Sequence, residues 1–311
     1  MEILKLEQVF KSYGSKKVLD NVNISVPKGS IFGFVGKNGA GKTTTMKMIL
    51  GLEEKTNGQI LIDGIPVVFG DNQTNHLTGY LPDVPEFYDY MSAKEYLNFC
   101  GEITGISKKK LKRKIPRLLS LVGLTIDKRK IKGYSRGMKQ RLGIAQALLN
   151  DPMVLICDEP TSALDPSGRN EFLELLVQLK GQMTILFSTH ILSDVERICD
   201  YVGILNQGKV AVSGSISDLK EKYAKNQIKV ELSKKEELDI FKKGIDRLNA
   251  QSVIHDYSII PKTKSFILEH NQSYEEIAPT IFQLFEKYQI YPRTINKIDR
   301  SLESIFLEVV K

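Results

Sequence analysis

The chain has 311 residues, of which 41% are hydrophobic and 26% charged, a composition typical of water-soluble globular proteins and a length sufficient for one large domain and a smaller one. No apolar run approaches the roughly 20 residues that a membrane-spanning helix needs, and the N-terminal segment lacks the apolar core of a signal peptide. The net charge of +7 leaves open a contact with nucleic acid or with an anionic membrane face.

The first part of the chain predicts strands followed by a glycine-rich loop. Residues 1–30 alternate apolar and polar side chains, which is typical of half-buried strands, with a turn at 27–29. Residues 30–35 are nearly all apolar, as expected of a buried strand. The glycine-rich loop and a helix over 42–50 come next, and residues 58–64 predict another strand between turn residues.

The stretch from residue 92 to 149 has a helical pattern that includes one strongly basic segment. Ser107–Arg117 contains seven basic residues, and its Leu111 and Ile115 are spaced as on one helix face. Because no aromatic side chains interleave with these charges, the segment lacks stacking platforms for bases. It therefore predicts a solvated helix rather than a nucleic-acid site.

The next stretch alternates apolar strands with helices. Such alternation predicts an α/β domain with a largely parallel sheet. The pattern also favours a hairpin around the turn residues Asn206-Gln207-Gly208. The predicted elements are strands at 153–157 and 183–189, helices at 168–180 and 193–199, and the hairpin at 201–214.

After about residue 220 the pattern changes to a second set of elements. Their order is β-α-β-β-α-β with a last helix near the C-terminus, which resembles a split βαβ sandwich of the ferredoxin-like kind. No motif with recognisable chemistry occurs there. We therefore divide the chain into a domain over 1–220 and a small α+β accessory domain over 221–311.

The glycine-rich loop matches a phosphate-binding loop. Gly36 is followed at the required spacing by Gly41, Lys42 and Thr43, between a predicted buried strand and a helix. Glycines allow successive backbone N–H groups to point inward around phosphate oxygens, and the helix N-terminus adds a positive dipole end. Lys42 would reach the β- and γ-phosphates and the Thr43 hydroxyl would bind Mg²⁺. The predicted cradle also includes Lys37, Asn38, Gly39, Ala40 and Thr44.

A second motif, which is acidic, is expected to act together with the phosphate-binding loop. The predicted strand at 153–157 runs into Asp158 and Glu159. Asp158 is predicted to hold the metal ion, directly or through water, and Glu159 to polarise the attacking water. An acidic strand end is common by itself, but its place after a phosphate loop favours the catalytic interpretation.

The first 220 residues resemble the ATP-binding subunit of an ABC transporter. Residues 134–141, "YSRGMKQR", are similar to the family's LSGGQ signature, and residues 162–165, "SALD", to its D-loop. His190 stands where the family has its switch histidine, and Tyr13, beside Val18, where it stacks an aromatic ring on adenine. The resemblance implies a P-loop ABC cassette: a mixed, largely parallel sheet, an antiparallel β subdomain and a helical subdomain at about 84–150.

The resemblance also implies partners. Two ABC subunits, alike or different, are expected to pair head to tail around ATP and Mg²⁺, with the signature of one copy (Ser135, Arg136, Gly137, Met138) capping the γ-phosphate held by the other. Separate integral-membrane permease subunits are expected to dock near residues 83–96. The ATPase would then be peripheral on the cytoplasmic face of the membrane, and the subfamily resembles exporters of the multidrug, bacitracin and lantibiotic types.

Two positions depart from the family pattern. Arg136 replaces a signature glycine, so the capping loop must accommodate a side chain that could reach phosphate. Asp83 stands at the position of the Q-loop glutamine, where a carboxylate is able to meet Mg²⁺ or water with a shorter reach. Glu86 is the alternative candidate for that position.

Two other kinds of protein remain as alternatives. One is a non-transport ABC ATPase acting on nucleic acid or the ribosome, but the chain has one cassette and no heptad tract, so nucleic acid is not the expected partner. The other is a regulatory ABC protein that binds nucleotide without turnover. The presence of Glu159 and His190 favours hydrolysis over that role.

Overall fold

The computed structural model describes residues 1–71, 73–223, 226–298 and 301–310. The chain divides into two compact units, Met1–Ser217 together with the residues from Phe306 onward, and Asp218–Ile305. The sequence-based division at residue 220 instead assigns all of 221–311 to the accessory domain. No helix in the described ranges combines the length and the apolar character that crossing a membrane requires.

The elements of the first unit keep the predicted order. The sequence did not predict β5 or β6. These strands have 2 and 4 residues, which is too short for an alternating pattern to be recognised. The elements are β1 (Glu2–Tyr13), β2 (Lys16–Pro27), β3 (Ile31–Gly36), α1 (Lys42–Ile49), β4 (Asn57–Ile62), β5 (Ile65–Pro66), β6 (Thr78–Leu81), α2 (Ala93–Ile103), α3 (Lys108–Leu121), α4 (Arg136–Ala147), β7 (Val154–Asp158), α5 (Pro166–Leu179), β8 (Thr184–Thr189), α6 (Leu192–Ile198), β9 (Tyr201–Asn206) and β10 (Lys209–Ser215).

The central sheet of the first unit has the strand order β10-β9-β3-β8-β7-β6. All its neighbouring strands are parallel except the β9–β10 hairpin. Strands β3, β7 and β8 are buried along their whole length, which explains their continuous apolar sequences. Because β3 and its parallel neighbours end at one edge of the sheet, the residues that follow them are brought together there.

A smaller antiparallel sheet packs on this core with the order β2-β1-β4-β5. Its strands alternate buried and exposed residues, and their apolar face shares one core cluster with Met46 and Met48 of α1. Tyr13, the last residue of β1, pairs with Lys16 across the tight turn into β2. The turn therefore places the Tyr13 ring at the surface, where it is 49% exposed.

The helical region contains α2, α3 and α4. Helix α2 begins with a capping box between Ser92 and Glu95, which satisfies backbone N–H groups at its N-terminus. Helix α3 buries Leu111 and Ile115, together with Leu118 and Leu119. Its lysines and arginines lie on the exposed or half-buried side, as expected of a solvated basic helix.

The second unit has an apolar core of its own. Its four strands are β11 (Asn226–Leu232), β12 (Asp256–Ile260), β13 (Ser265–His270) and β14 (Pro292–Ile298), which are antiparallel in the order β12-β13-β11-β14. Phe241, Phe266 and Phe285 pack together in the interior of this unit. The observed order β-α-β-β-α-β is the predicted one, while the ferredoxin-like assignment stays a prediction. The remaining elements are α7 (Ile216–Lys222), α8 (Glu237–Ala250), α9 (Tyr274–Tyr288) and α10 (Leu302–Val309).

Candidate active site

The loop between β3 and α1 curls tightly around the start of the helix. Gly41 precedes α1 with φ of 109°, a conformation that side-chain-bearing residues rarely adopt. At Gly36 an added Cβ would lie 2.6 Å from the carbonyl oxygen of Leu205, so only glycine allows this close approach. The loop thus presents backbone N–H groups and a helix N-terminus to one side, which is an anion-binding arrangement.

Lys42 carries the positive charge of this loop. Its side chain is only 6% exposed, and its Nζ donates a hydrogen bond to the carbonyl oxygen of Gly36 at 2.6 Å. The same Nζ lies 3.0 Å from Oε1 of Glu159, in ion-pair contact rather than an aligned hydrogen bond. The lysine is therefore held between the loop backbone and a carboxylate, with its charge at the helix N-terminus.

Strands β7 and β8 position the acidic motif. Asp158, the last residue of β7, is 3% exposed and accepts a hydrogen bond of 2.6 Å from Ser188 Oγ on β8. The same hydroxyl accepts a hydrogen bond from the Glu159 backbone N–H at 3.0 Å. Glu159 has φ of 46°, an uncommon backbone conformation for a residue with a side chain. Residues in such strained conformations occur preferentially at functional sites.

His190 completes a three-residue contact around Glu159. It directly follows β8, and its Nδ1 lies 2.9 Å from Glu159 Oε2. The two carboxylate oxygens of Glu159 are thus contacted separately, one by Lys42 and one by His190. This fixes the carboxylate orientation and places an acid–base pair beside the phosphate-binding loop.

Lys42 and Glu159 line a cleft of about 700 Å³, a volume suited to a nucleotide-sized ligand. The cleft wall also contains Lys16 and Lys17, which were not predicted as site residues. Their two adjacent positive charges close to Tyr13 in the sequence were the signal that could have indicated them. Gln207 and Gly208 also line it, from a hairpin turn that carries no local signal of a site. The predicted residues on the wall are Tyr13, Val18, Asn38, Gly39, Gly41, Lys42, Thr43, Thr44, Asp83 and Glu159.

The remaining predicted residues of the loop do not line this cleft. Gly36 and Lys37 turn carbonyl oxygens toward the Lys42 Nζ, at 2.6 and 3.4 Å. Ala40 is buried and packs in the core cluster under the loop. These positions therefore shape the loop through backbone and packing, whereas the cleft surface is formed by their neighbours.

The two candidates for the Q-loop position line different depressions. Asp83 lines the same cleft as Lys42 and Thr43. Glu86 lies outside it and lines a separate depression next to Gln146. Asp83 is thus the acidic residue of this segment that is placed to reach a ligand beside the phosphate-binding loop.

Burial shapes the electrostatics beneath the cleft. It raises the pKa of Tyr80 on β6 to about 12, and the nearby charges of Asp158 and Asp83 act in the same direction. Burial also raises the pKa of the Cys157 thiol, so that this side chain stays protonated inside β7. Tyr80 and the Cys157 thiol therefore add no charge of their own next to Asp158.

The signature residues form a second cleft of about 620 Å³. Ser135 is the N-cap of α4 and its hydroxyl accepts a hydrogen bond from the Met138 backbone N–H at 3.3 Å. Ser135, Arg136, Gly137 and Met138 all line this cleft, opposite residues 163–165. Among the described residues none lines both clefts, so the signature residues and the phosphate-binding loop of one chain belong to separate clefts.

The oxygen donors of the first cleft suit a small hard cation. Thr43 and Asp83 supply a hydroxyl and a carboxylate on the cleft wall, and Asp158 lies at the end of β7 beneath it. Mg²⁺ is commonly bound by one or two protein oxygens plus substrate phosphates, so a dense ligand cluster is not needed. Within the described residues there is no group of three or more His, Cys, Asp or Glu side chains that could hold a metal by itself.

Comparison with known proteins gives consistent matches. The ABC transporter family model matches residues 19–162. The ABC transporter ATP-binding protein YxlF of Bacillus subtilis is 44% identical over 239 residues, which cover 76% of this chain and 78% of YxlF. The bacitracin transport ATP-binding protein BcrA of Bacillus licheniformis is 40% identical over 260 residues, covering 83% of this chain and 82% of BcrA. A solved ATP-binding subunit of an ABC transporter superposes with a TM-score of 0.64 at 33% identity, covering 71% of this chain and 93% of that one.

These matches confirm the predicted cassette fold. The family model spans both the phosphate-binding loop and the acidic end of β7, which are the two parts that the geometry joins in one cleft. The high identity extends over most of this chain and most of each relative. The chain therefore belongs to the ABC transporter family of ATP-binding subunits, whose cassette binds and hydrolyses ATP.

Proposed function

We propose that this ATPase powers a membrane exporter of a drug, a peptide antibiotic or a similar amphipathic compound, on the cytoplasmic face of the membrane and beside separate permease subunits. The observation that carries hydrolysis is the Glu159 carboxylate, held between Lys42 and His190 at the phosphate-binding loop. The 40% identity to a bacitracin transport ATP-binding protein supports the cargo class. Transport ATPases of this family work with membrane permeases.

The roles of the cleft residues follow from their chemistry. The loop N–H groups and Lys42 bind the phosphates, and Tyr13 on the cleft wall offers a ring face to the adenine base. Glu159 accepts the proton of the attacking water, and His190 orients that carboxylate and contacts the terminal phosphate. Thr43 and Asp158 would hold Mg²⁺, with Asp83 as a further oxygen donor; the ion would neutralise phosphate charge when bound.

A second subunit supplies what one chain lacks. Because no residue in the described ranges lines both the signature cleft and the nucleotide cleft, the Ser135 hydroxyl and the N-terminus of α4 are available to a nucleotide held by another copy. Both offer hydrogen-bond donors to phosphate oxygens. The exposed Arg136 side chain lies on the same surface. We therefore propose a head-to-tail dimer, formed with a like or an unlike ABC subunit.

An exposed apolar surface supports the permease contact. Val84, Tyr90 and Ile103 are 70%, 67% and 68% exposed, and the Tyr88 ring packs at 5.5 Å from that of Phe99. Tyr88, Tyr90 and Phe99, whose rings contact one another through Tyr88, form what we call the aromatic surface of the helical region. Clustered exposed apolar side chains are typical of protein interaction sites. It overlaps the segment where the family resemblance places the permease.

Purification from the native membrane tests this function. The tagged chain, extracted in mild detergent, should retain an integral membrane protein, and a Tyr90→Asp variant should lose it because a charge is placed in the apolar contact. A Lys109→Asp variant on the exposed face of α3 is the matched control and should retain the partner. Retention of RNA or a ribosome instead of a membrane protein would overturn the export proposal.

A further inference from the structure

Helix α3 has an exposed face that carries only positive charge. The helix contains no acidic side chain. Lys108 lies 3.8 Å from a carboxylate oxygen of Glu102, and Lys114 has its own ion-pair partner in Asp151. Within the described residues, the other five basic side chains of α3 have neither an ion pair nor a side-chain hydrogen bond. We call these five residues the basic face: Lys109, Lys110, Lys112, Arg113 and Arg117.

The basic face lies opposite the buried side of the helix. Because successive helical residues are rotated by about 100°, Lys109, Arg113 and Arg117 form one stripe along α3. Lys110 and Lys112 lie at the two edges of this stripe, and all five side chains are exposed. The outer surface of α3 is therefore a continuous band of positive charge about 12 Å long. The buried side is formed by Leu111, Ile115, Leu118 and Leu119.

This charge pattern opposes helix formation. Like charges four residues apart repel each other, and the stripe contains two such pairs, one on each side of Arg113. The first turn has lysines and no acidic residue, although a helix N-terminus favours negative charge. Ser107 precedes the helix without the side-chain hydrogen bond of an N-cap. Because sequences depart from such local rules mainly where a function requires it, the pattern indicates an anionic partner that offsets the repulsion.

The surroundings of the basic face favour a membrane over nucleic acid. Helix α2 carries Phe99 of the aromatic surface, followed one turn later by Ile103, which is 68% exposed. The contact between Glu102 and Lys108 joins the end of this helix to the start of α3. The basic face thus continues from the surface proposed for the permease, an integral membrane protein. Helix α3 itself has no aromatic residue on which a base could stack.

We propose that the basic face of α3 binds the anionic lipid headgroups of the membrane in which the permease lies. Lipid headgroups require only charge, and clusters of about 4–8 Lys and Arg residues are typical of contacts with anionic lipids. The contact adds to that of the permease and keeps the helical region against the bilayer. This inference rests on the proposed function, which places the ATPase at the membrane beside a permease.

Binding of the full chain to lipid vesicles tests this contact without a permease. Vesicles of phosphatidylcholine with about 30% phosphatidylglycerol are compared by co-sedimentation with vesicles of phosphatidylcholine alone. The unaltered chain should bind only the anionic vesicles, and it should dissociate when salt is raised from about 0.1 M to about 0.5 M, because salt screens the charges. The triple variant K109Q/R113Q/R117Q should bind them about 100-fold more weakly, since each basic residue near the surface contributes about fivefold.

A matched triple variant controls for net charge. K235Q/K243Q/K262Q removes three exposed lysines of the second unit and should bind anionic vesicles as the unaltered chain does. The α3 variant should keep or raise the midpoint of thermal unfolding, because its like-charge pairs are gone. Its affinity for ATP should be unchanged, since none of the three substituted positions lines the nucleotide cleft.

Three results would overturn the lipid contact. The first is equal binding of the unaltered chain to both kinds of vesicle, or binding to neither. The second is equal binding of the two triple variants, because net charge and not this face would then be responsible. The third is a K109Q/R113Q/R117Q variant that loses binding to a mixed-sequence RNA while still binding anionic vesicles, which would assign the face to nucleic acid.

The inference and the function on which it rests fail separately. If the tagged chain retains an integral membrane protein in detergent but does not bind anionic vesicles, the lipid contact is wrong and the export function stands. If the vesicle results are as expected and no integral membrane protein is retained, the lipid contact stands and the proposed transport function is wrong.

Discussion

The two units of the chain bury polar side chains in different ways. In the second unit, Ser265 and His270 are buried, and each is bonded to a carbonyl oxygen two residues away, so their contacts are local. In the first unit, Lys42 and Asp158 are buried, and they contact Glu159 and Ser188, which are brought from other elements. Charges buried by long-range contacts are costly, and those of Lys42 and Asp158 lie where a charged ligand is expected.

Backbone strain shows the same contrast. In the second unit, Lys264 and Gln289 have φ of 51° and 52°, but both end helical turns, where this conformation is a usual stop. Glu159 has φ of 46° directly after a buried strand, with its carboxylate turned to Lys42 and His190. The same unusual backbone conformation thus ends a helix at Lys264 and Gln289, whereas at Glu159 it orients a reactive carboxylate.

The largest expected effect tests whether the strained carboxylate is the catalytic base. Glu159→Gln should lower kcat for ATP hydrolysis by about 10³-fold, because an amide cannot accept the proton of water. ATP affinity should be retained, since the loop and Lys42 are unchanged. Phosphate release and calorimetric titration measure the two quantities. Glu86→Gln makes the same chemical change outside the cleft and should be neutral; equal turnover in Glu159→Gln would refute the assignment.

The second test asks whether the other unit is only a packed domain. Phe241 is fully buried and its ring lies 5.0 Å from Phe266 and 5.2 Å from Phe285. Phe241→Ala should lower the free energy of unfolding of this unit by about 3 kcal/mol through lost burial and a cavity. Urea-dependent hydrogen exchange in peptides from 226–298 measures it.

The control for this core variant lies in the other unit. ATP affinity and exchange in peptides covering 35–50 should be the same in Phe241→Ala and in the unaltered chain. A loss of ATP binding in a variant whose first unit stays folded would show that the accessory unit takes part in the nucleotide site, and the comparison would then have to be revised.

The parts of the fold that were predictable are those written in contiguous residues. The buried strands β3, β7 and β8 appear as apolar runs, and the phosphate-binding loop is a single segment. The short strand β6 was not predicted because it has only 4 residues, one of which is Gly79, and because its partner β7 lies far along the chain. Pairing over such separations has no local signature.

The candidate site was predictable to the same degree. Its residue types and order are visible in the sequence, but the contacts that organise it depend on strand adjacency. The hydrogen bond from Ser188 to Asp158 forms because β7 and β8 are parallel neighbours. The residues next to Ser188 and Asp158 in the sequence show no pattern that indicates this contact. The Ser162–Asp83 contact joins two loops in the same way. The residue types of the candidate site could thus be predicted from the sequence, whereas their arrangement in space is known only from the fold.

A third prediction concerns Lys42, the positively charged side chain of the phosphate-binding loop. Lys42→Ala should weaken ATP binding about 10- to 100-fold, the range of one to two charge-assisted hydrogen bonds lost to a phosphate. It also leaves the Glu159 carboxylate without its ion-pair partner. Titration of nucleotide measures the effect. Lys47→Ala, on the exposed side of the same helix, is the matched control, and an unchanged affinity in Lys42→Ala would contradict the phosphate-loop assignment.

The smallest expected effect concerns His270, the buried histidine of the second unit. Burial lowers its pKa, a smaller opposing effect coming from its bond to the Gln272 carbonyl oxygen, so the folded state favours the neutral ring. Below about pH 6.5, the ordinary pKa of histidine, the unfolded chain takes up a proton that the folded unit resists. The free energy of unfolding of this unit should therefore decrease as pH falls below that value and should be insensitive to this group above it.

Substitution isolates this contribution. His270→Gln removes the titrating ring, so unfolding of the second unit, followed by exchange in peptides from 226–298 at pH 5.0 to 8.0, should lose part of its acid sensitivity. His255→Gln alters an exposed histidine of the same unit and should leave that sensitivity intact. If both variants keep the full acid response, His270 is not its source. The pH dependence of ATP hydrolysis should be the same in His270→Gln and in the unaltered chain. If it changed together with the acid sensitivity of unfolding, a buried polar group of the second unit would act on the nucleotide cleft. The contrast drawn above between the buried polar groups of the two units would then be wrong.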